Sequence, residues 1–140
     1  MVIGKFTRIE SFCASHCMKN DNWSLEKNIK VFSKCINNHG HNYKAYFTFK
    51  GHIDKDTGMV INLIDVKQIL KPILDKVDHT YLNDSLKEEL DGQNSTVEIL
   101  AYVLFKMVQN EMKKYNLTAK IDNVRLYETD KNYADYSDNL

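Results

Sequence analysis

The feature that most constrains the fold is the stretch of residues 42–53, in which apolar and polar side chains alternate. Successive side chains of a β-strand point to opposite faces, so this pattern predicts a strand with one apolar face. That face carries Tyr43, Ala45, Phe47 and Phe49. A strand of this kind indicates an antiparallel sheet that is covered on one side only.

Periodicity elsewhere predicts an α+β fold, with two helices packed on one face of the sheet. The turn-forming run 54–58 and the short apolar run 59–62 predict a hairpin, and Pro72 is expected to kink a helix or mark its weak point. Tyr133 and Tyr136 are assigned to a C-terminal tail. The other predicted elements are strands over 2–12 and 119–129 and helices over 25–34, 63–77 and 97–115.

The length and net charge of the chain limit the classes of protein to which it can belong. The chain has 140 residues, of which 43% are hydrophobic, and this indicates a single domain over residues 1–140. The 19 basic and 19 acidic residues cancel, which argues against a nucleic-acid partner and leaves room for self-association. No apolar run approaches the roughly 20 residues of a membrane helix. The first residues lack a secretory signal pattern, so we expect a cytoplasmic protein without a membrane partner.

Histidines near the start of the alternating strand predict a metal site. His39 and His41 are two residues apart and therefore point to one face of the strand. Taken alone, such a pair also fits two half-exposed strand histidines. His16 lies at the end of the first predicted strand, and an antiparallel neighbour would bring it beside the pair. Three imidazoles with one open position are typical of a catalytic zinc.

Cys35 lies four residues before His39 and leaves three interpretations open. As a fourth ligand, its thiolate would close the metal site and make it structural. As a nearby thiol of lowered pKa, it would be a base. It also fits a small buried apolar residue, the common role of a free cysteine.

Two further acidic positions are candidates for chemistry. Asp78 precedes His79, and the two form either a charged relay or a simple helix end. Glu128 follows two apolar residues late in the last predicted strand. If it points inward, it needs a partner with paired N–H donors, such as a 2-aminopyrimidinone ring. Otherwise it is a solvent-facing strand residue.

Seven short stretches together resemble the 6-pyruvoyltetrahydropterin synthase family, and they occur in that family's order along nearly the whole chain. Each stretch is weak evidence alone, whereas the ordered set is specific. They are FCASH at 12–16, EKNIKVFSKC at 26–35, HGHNY at 39–43, GMVINL at 58–63, VDH at 77–79, STVE at 95–98 and YET at 127–129.

The resemblance implies the tunnelling fold (T-fold). In that fold each subunit packs a four-stranded antiparallel sheet against two helices. The sheets of three subunits close into a barrel, and two barrels stack as a homohexamer, which leaves no sheet edge exposed. Active sites in such proteins lie between subunits.

The resemblance also implies roles for individual residues and a reaction. The enzyme would be a zinc-dependent lyase that converts 7,8-dihydroneopterin triphosphate to 6-pyruvoyltetrahydropterin, with elimination of triphosphate, in tetrahydrobiopterin biosynthesis. By position, the implied zinc ligands are His16, His39 and His41, the catalytic groups are Cys35, Asp78 and His79, and the pterin pocket contains Glu128, Thr96 and Glu98.

One difference from the 6-pyruvoyltetrahydropterin synthases points to a second reaction product as an alternative. The spacer between Cys35 and His39 is short, as in 6-carboxytetrahydropterin synthases of the 7-deazaguanine route, and residues 71–74 and 78–84 also resemble that branch. The long segment between His16 and Cys35 and residues 127–130 resemble the pyruvoyl branch, which we favour. The alternative to an enzyme is a non-catalytic module that binds a metal or a pterin.

Overall fold

One mixed sheet organises the structure, a computed structural model that describes residues 2–139. Its strand order is β3-β1-β2-β4-β5. The long strands are antiparallel, and only the two-residue β3 runs parallel to its neighbour β1. The strands are β1 (Ile3–His16), β2 (His39–His52), β3 (Thr80–Tyr81), β4 (Lys120–Thr129) and β5 (Asn132–Tyr136).

Helices cover one face of this sheet. Two are long, α2 (Leu63–Val77) and α5 (Val97–Met112). Asn62 caps the first by accepting a hydrogen bond from the Ile64 amide, and Thr96 caps the second through the Ile99 amide. The short helices are α1 (Leu25–Phe32), a 3₁₀ turn (Ser33–Ile36), α3 (Leu82–Ser85) and α4 (Lys87–Leu90).

The alternating strand forms the centre of the core, as its pattern predicts. Tyr43, Ala45, Phe47 and Phe49 are all fully buried in β2. They belong to a hydrophobic cluster that includes the apolar faces of α2 and α5. Burial of one such aromatic side chain contributes about 1.5–3 kcal/mol, so these residues fix the register of β2 in the sheet.

The predicted hairpin after β2 is wrong. Residues 54–58 do form a turn, in which the Asp54 amide donates to the Met59 carbonyl and Gly58 has a φ of +73°. Residues 59–62 then lead directly into α2 without forming a strand, and β2 pairs with β1 and β4 instead. The run is apolar because Ile61 is buried in the core.

The other differences are additions to the predicted layout. The assigned tail forms β5, which extends the antiparallel sheet of β1, β2 and β4, and the stretch before α5 contains β3, which adds one short parallel strand. Helix α2 continues through Pro72. The register of β2 against β4 shifts between Thr48 and Phe49, where the apolar pattern slips near Asn123. None of the helices within residues 2–139 is long and apolar enough to cross a membrane.

Candidate metal centre

Strand pairing brings three histidines together at one end of the sheet. His16 lies directly opposite His39 in the β1–β2 register, and His41 follows on the same face of β2. Each offers a ring nitrogen, and these atoms all lie within 4.8 Å of one another. The ring centroids are 4.5 to 5.1 Å apart. The structure thus assembles the predicted ligand set from residues that are distant in the sequence.

Hydrogen bonds to backbone carbonyls orient two of the rings. His16 Nδ1 lies 2.7 Å from the Ser95 carbonyl oxygen, and His39 Nδ1 lies 2.7 Å from that of Asn37. A donating Nδ1–H leaves Nε2 as the free lone pair, the usual arrangement in metal-ligating histidines. Among the described residues, Nε2 of His16 and of His41 is buried without a hydrogen-bond partner. Such orphaned nitrogens fit a metal ion.

Burial favours the neutral form of two of these imidazoles, those of His16 and His41. Burial lowers the pKa of His16, and the charges of His39 and His41 lower it further, against the opposing effects of the Ser95 carbonyl and Glu128. Burial also lowers the pKa of His41, against the attraction of Glu128. A neutral imidazole is the form that binds a metal, so the site does not need to lose protons first.

Glu128 points into this centre, and the solvent-facing alternative for it is wrong. Its Oε2 lies 3.7 Å from His16 Nε2 and 3.8 Å from His41 Nε2, and its side chain is 21% exposed. The register of β4 against β5 shifts at this residue, since Tyr127 pairs with Tyr133 and Thr129 with Asn132. Such irregularities often occur beside active sites and re-aim a side chain.

Tyr43 forms part of the inner wall of the candidate metal centre. The sequence pattern placed it in the core and did not indicate a role in the site. Its hydroxyl is buried without a partner among the described residues, and its ring lies 5.5 Å from that of His41. Burial, reinforced by the charge of Glu128, raises the pKa of this phenol, which therefore stays protonated as a potential donor. Its position two residues after His41 is the signal that could have revealed it.

Cys35 lies near the centre in sequence but outside the close ligand group. It is half-buried in the 3₁₀ turn, and its carbonyl accepts a hydrogen bond from the Met18 amide at 2.8 Å. The compact cluster contains His16, His39 and His41 only, among the residues that the structure describes.

Asp78 and His79 form an anchored pair beside β1. His79 Nδ1 lies 2.9 Å from Asp78 Oδ1, which also accepts the Cys13 amide at 3.0 Å. These bonds lower the pKa of Asp78, with the Cys13 amide as the larger cause. His79 has a φ of +60°, a strained backbone conformation that is typical of functional positions.

An open groove lies beside His79 of the pair and His41 of the histidine cluster. It has a volume of about 480 Å³, and both His41 and His79 line it. Cys13, which is exposed, contributes its thiol to the same groove and donates to Asn42 Oδ1 at 2.8 Å. His79 therefore borders the same groove as one of the candidate metal ligands, His41.

The start of α5 supplies the remaining predicted residues. Thr96 is half-buried and caps the helix, whereas Glu98 is exposed in its first turn. Ser95, the residue before the cap, contacts the histidine cluster and does not cap the helix. Instead, its carbonyl orients His16, and its hydroxyl donates to the Cys17 carbonyl at 3.1 Å.

The fold and the site together define an α+β protein with a candidate metal centre of three histidines at one end of its sheet. The family model described as 6-pyruvoyl tetrahydropterin synthase matches residues 5–139. The chain is 37% identical over 131 residues to the 6-pyruvoyl tetrahydrobiopterin synthase of Dictyostelium discoideum, covering 93% of each chain. The solved 6-pyruvoyl tetrahydropterin synthase of Caenorhabditis elegans aligns with a TM-score of 0.89 and 31% identity, covering 98% of this chain and 96% of that one.

A relative with another product name matches less of the chain. The putative 6-carboxy-5,6,7,8-tetrahydropterin synthase of Archaeoglobus fulgidus is 34% identical over 87 residues, which cover 62% of this chain and 63% of its own. The protein belongs to the 6-pyruvoyl tetrahydropterin synthase family, as the ordered sequence stretches indicated.

Proposed function

We propose that the protein is a zinc-dependent lyase that converts 7,8-dihydroneopterin triphosphate to 6-pyruvoyltetrahydropterin, with elimination of triphosphate. The observation that carries this proposal is the cluster of three histidines beside an inward carboxylate, in which Nε2 of His16 and of His41 is buried without a partner among the described residues. The named relatives, which are pyruvoyl synthases matched over most of their length, support the same activity.

His16, His39 and His41 would hold the zinc through their Nε2 atoms. Zinc supplies Lewis-acid chemistry when bound, and here it would polarise side-chain oxygens of the substrate so that an adjacent carbon-bound proton becomes acidic. The carbonyls of Ser95 and Asn37 hold two of the rings in place, so this part of the site is organised before the substrate arrives.

Proton transfer is assigned to Cys35 and to the Asp78–His79 pair. The Cys35 thiolate would take the carbon-bound proton. Asp78 holds Nδ1 of His79 at 2.9 Å, which leaves Nε2 of that ring to exchange a second proton with the substrate. The groove shared by His41 and His79 gives the substrate side chain a path between the metal and this pair.

Pterin binding is assigned to Glu128, with Thr96 and Glu98 near the pocket. A carboxylate accepts two parallel N–H bonds from a 2-aminopyrimidinone ring, and such charge-assisted bonds contribute about 1.5–3 kcal/mol each. The inward direction of Glu128 and its partial exposure support this role.

The proposed assembly is a cytoplasmic homohexamer, built as two stacked trimers. Within the described chain, the outer edge of β1 pairs only at Ala14 and Ser15, and β5 lies at the other edge of the sheet. Closing three sheets into a barrel would cover these edges. Light scattering should give a mass of about six subunits, whereas a stable monomer at micromolar concentration would exclude the barrel.

A second product remains a candidate because of the short spacer between Cys35 and His39. To decide, the zinc-loaded protein is incubated with 7,8-dihydroneopterin triphosphate, and the product is identified by mass. We expect the pyruvoyl product together with free triphosphate. The mass of the carboxy product would assign the protein to the 7-deazaguanine route, and absence of turnover would favour a non-catalytic binding module.

A further inference from the structure

We propose that Glu128 is a fourth, removable ligand of the metal, which binds the ion while no pterin is present and releases it when the ring arrives. This inference rests on the proposed function, because it concerns the same zinc site and the same pterin-binding carboxylate. Glu128 would bind first the metal and then the pterin ring.

Two distances from Glu128 to the histidine cluster are close to those between neighbouring donors of a tetrahedral metal site. With metal–ligand bonds of about 2.0–2.1 Å, neighbouring donor atoms of a tetrahedron lie about 3.4 Å apart. Glu128 Oε2 lies 3.7 Å from His16 Nε2 and 3.8 Å from His41 Nε2. A displacement of a few tenths of an ångström would therefore place this oxygen at a vertex shared with two of the histidines.

Neither histidine nitrogen has another partner. Nε2 of His16 and of His41 forms no hydrogen bond to any described residue, so the carboxylate is the nearest charged group to two buried lone pairs. Cys35, the fourth ligand considered from the sequence, does not join the close ligand group of the described chain. Glu128 is not part of that group either, but its Oε2 lies within 3.8 Å of two of the group's nitrogens, and this contact makes the carboxylate the candidate for the fourth donor.

The Glu128 carboxylate also has room to move away from the metal position. Its side chain is 21% exposed, unlike the fully buried His16, and the strand is irregular at this point. On arrival of a pterin, the bond between the metal and Glu128 would break, and the ring N–H groups would donate to the freed carboxylate. The vacated position would then accept a substrate oxygen. The ion would reach its reactive coordination only when the ring is bound.

This exchange makes a ring-only pterin and the metal compete for one carboxylate. 6-Methylpterin is a suitable probe because its side chain has no oxygen to bind the metal. Since coupling between two ligands is reciprocal, zinc should weaken 6-methylpterin binding to the wild-type protein by at least about threefold relative to the metal-free protein. Equal or tighter binding with zinc would overturn the proposal.

The second test needs no pterin. Glu128→Gln should weaken zinc and cobalt binding by at least about tenfold, the lower end of what even outer-shell groups contribute. The visible spectrum of the cobalt-loaded protein should also change. Asp130→Asn, which removes an exposed carboxylate two residues away, should leave both properties unchanged and so controls for net charge. Wild-type affinity and an unaltered spectrum in Glu128→Gln would refute ligation.

Glu128→Asp separates ligation from general attraction. It keeps the charge but shortens the reach by one methylene, so its metal affinity should resemble that of Glu128→Gln. Wild-type affinity in Glu128→Asp would show that only the charge matters and would also overturn the proposal. The turnover assay with 7,8-dihydroneopterin triphosphate is independent. If the wild-type protein turns over the substrate but the predicted metal effects are absent, only the fourth-ligand proposal fails. If the metal effects are present but the wild-type protein shows no turnover, only the proposed reaction fails.

Discussion

Replacement of His39 by alanine tests the metal centre most directly. His39 supplies one of three candidate ligands, and it is half-buried at the start of β2, opposite His16. The change removes a ring nitrogen but no part of the main hydrophobic cluster, which does not include His39. We therefore expect the metal-free variant to fold normally and to lose its zinc.

The size of the effect follows from the number of ligands. Zinc sites in small proteins bind with about 10–16 kcal/mol, so one of three imidazoles accounts for roughly 3–5 kcal/mol, or about a hundredfold to several thousandfold in affinity. In the wild-type protein, zinc at about a thousand times its Kd should stabilise the fold by about 4 kcal/mol. For a chain of this size, that free energy raises Tm by about 10–15 °C, a shift that His39→Ala should reduce to about a third or less at the same zinc concentration.

Zinc content and Tm with and without zinc provide the measurement. The matched control is His52→Ala, which removes an exposed histidine from the opposite end of the same strand. This control should retain zinc and the full rise in Tm. Stoichiometric zinc and an undiminished rise in Tm in His39→Ala would refute the assignment of the ligand set.

Three further predictions concern the base, the core and the sheet edge. Cys35→Ala should keep its zinc and Tm but lose turnover; loss of zinc would instead make Cys35 a ligand. Phe47→Ala should lower the free energy of unfolding by about 3–5 kcal/mol in denaturant titrations, because the ring is fully buried in β2. Arg125 donates hydrogen bonds to Asp135 and lowers the pKa of that carboxyl group. The charged carboxylate therefore stabilises the fold at pH values above the pKa of Asp135 in the unfolded chain. This stabilisation is lost as the pH falls through the pKa of Asp135 in the folded protein. Asp135→Asn should therefore cost up to about 1 kcal/mol near pH 7, and this cost should disappear as the pH falls through the folded pKa of Asp135, as pH-dependent unfolding would show.

The sequence predicted those elements whose own pattern is long enough to be unambiguous. Strand β2 and helix α2 each carry several repeats of their period, and both lie where the pattern placed them. The short apolar run 59–62 has no such length. Burial of Ile61 beneath a connecting loop gives it the same apolar character as a strand, so the pattern alone could not separate the two.

The site was predictable where it follows strand geometry and unpredictable where it depends on tertiary contacts. Alternation put His39 and His41 on one face, and an antiparallel neighbour accounts for His16. The direction of Glu128 depends on pairing between β4 and β5, and β5 was not predicted. The contact of Ser95 with His16 joins positions 79 residues apart, for which a single sequence contains no local signal.

The metal centre and the hydrophobic core share one strand face, and this links their geometries. His39 and His41 continue the row of side chains that Tyr43 and Phe47 begin. A slip of one residue between β1 and β2 would turn the apolar row toward solvent and would also separate His16 from its partners. Core burial, at about 1.5–3 kcal/mol for each large side chain, therefore holds the register that the metal requires. It follows that the ligand nitrogens are held in place before the metal binds. The proposed zinc would then add stability to a sheet that is already formed, in contrast to a zinc finger, which folds only with its metal.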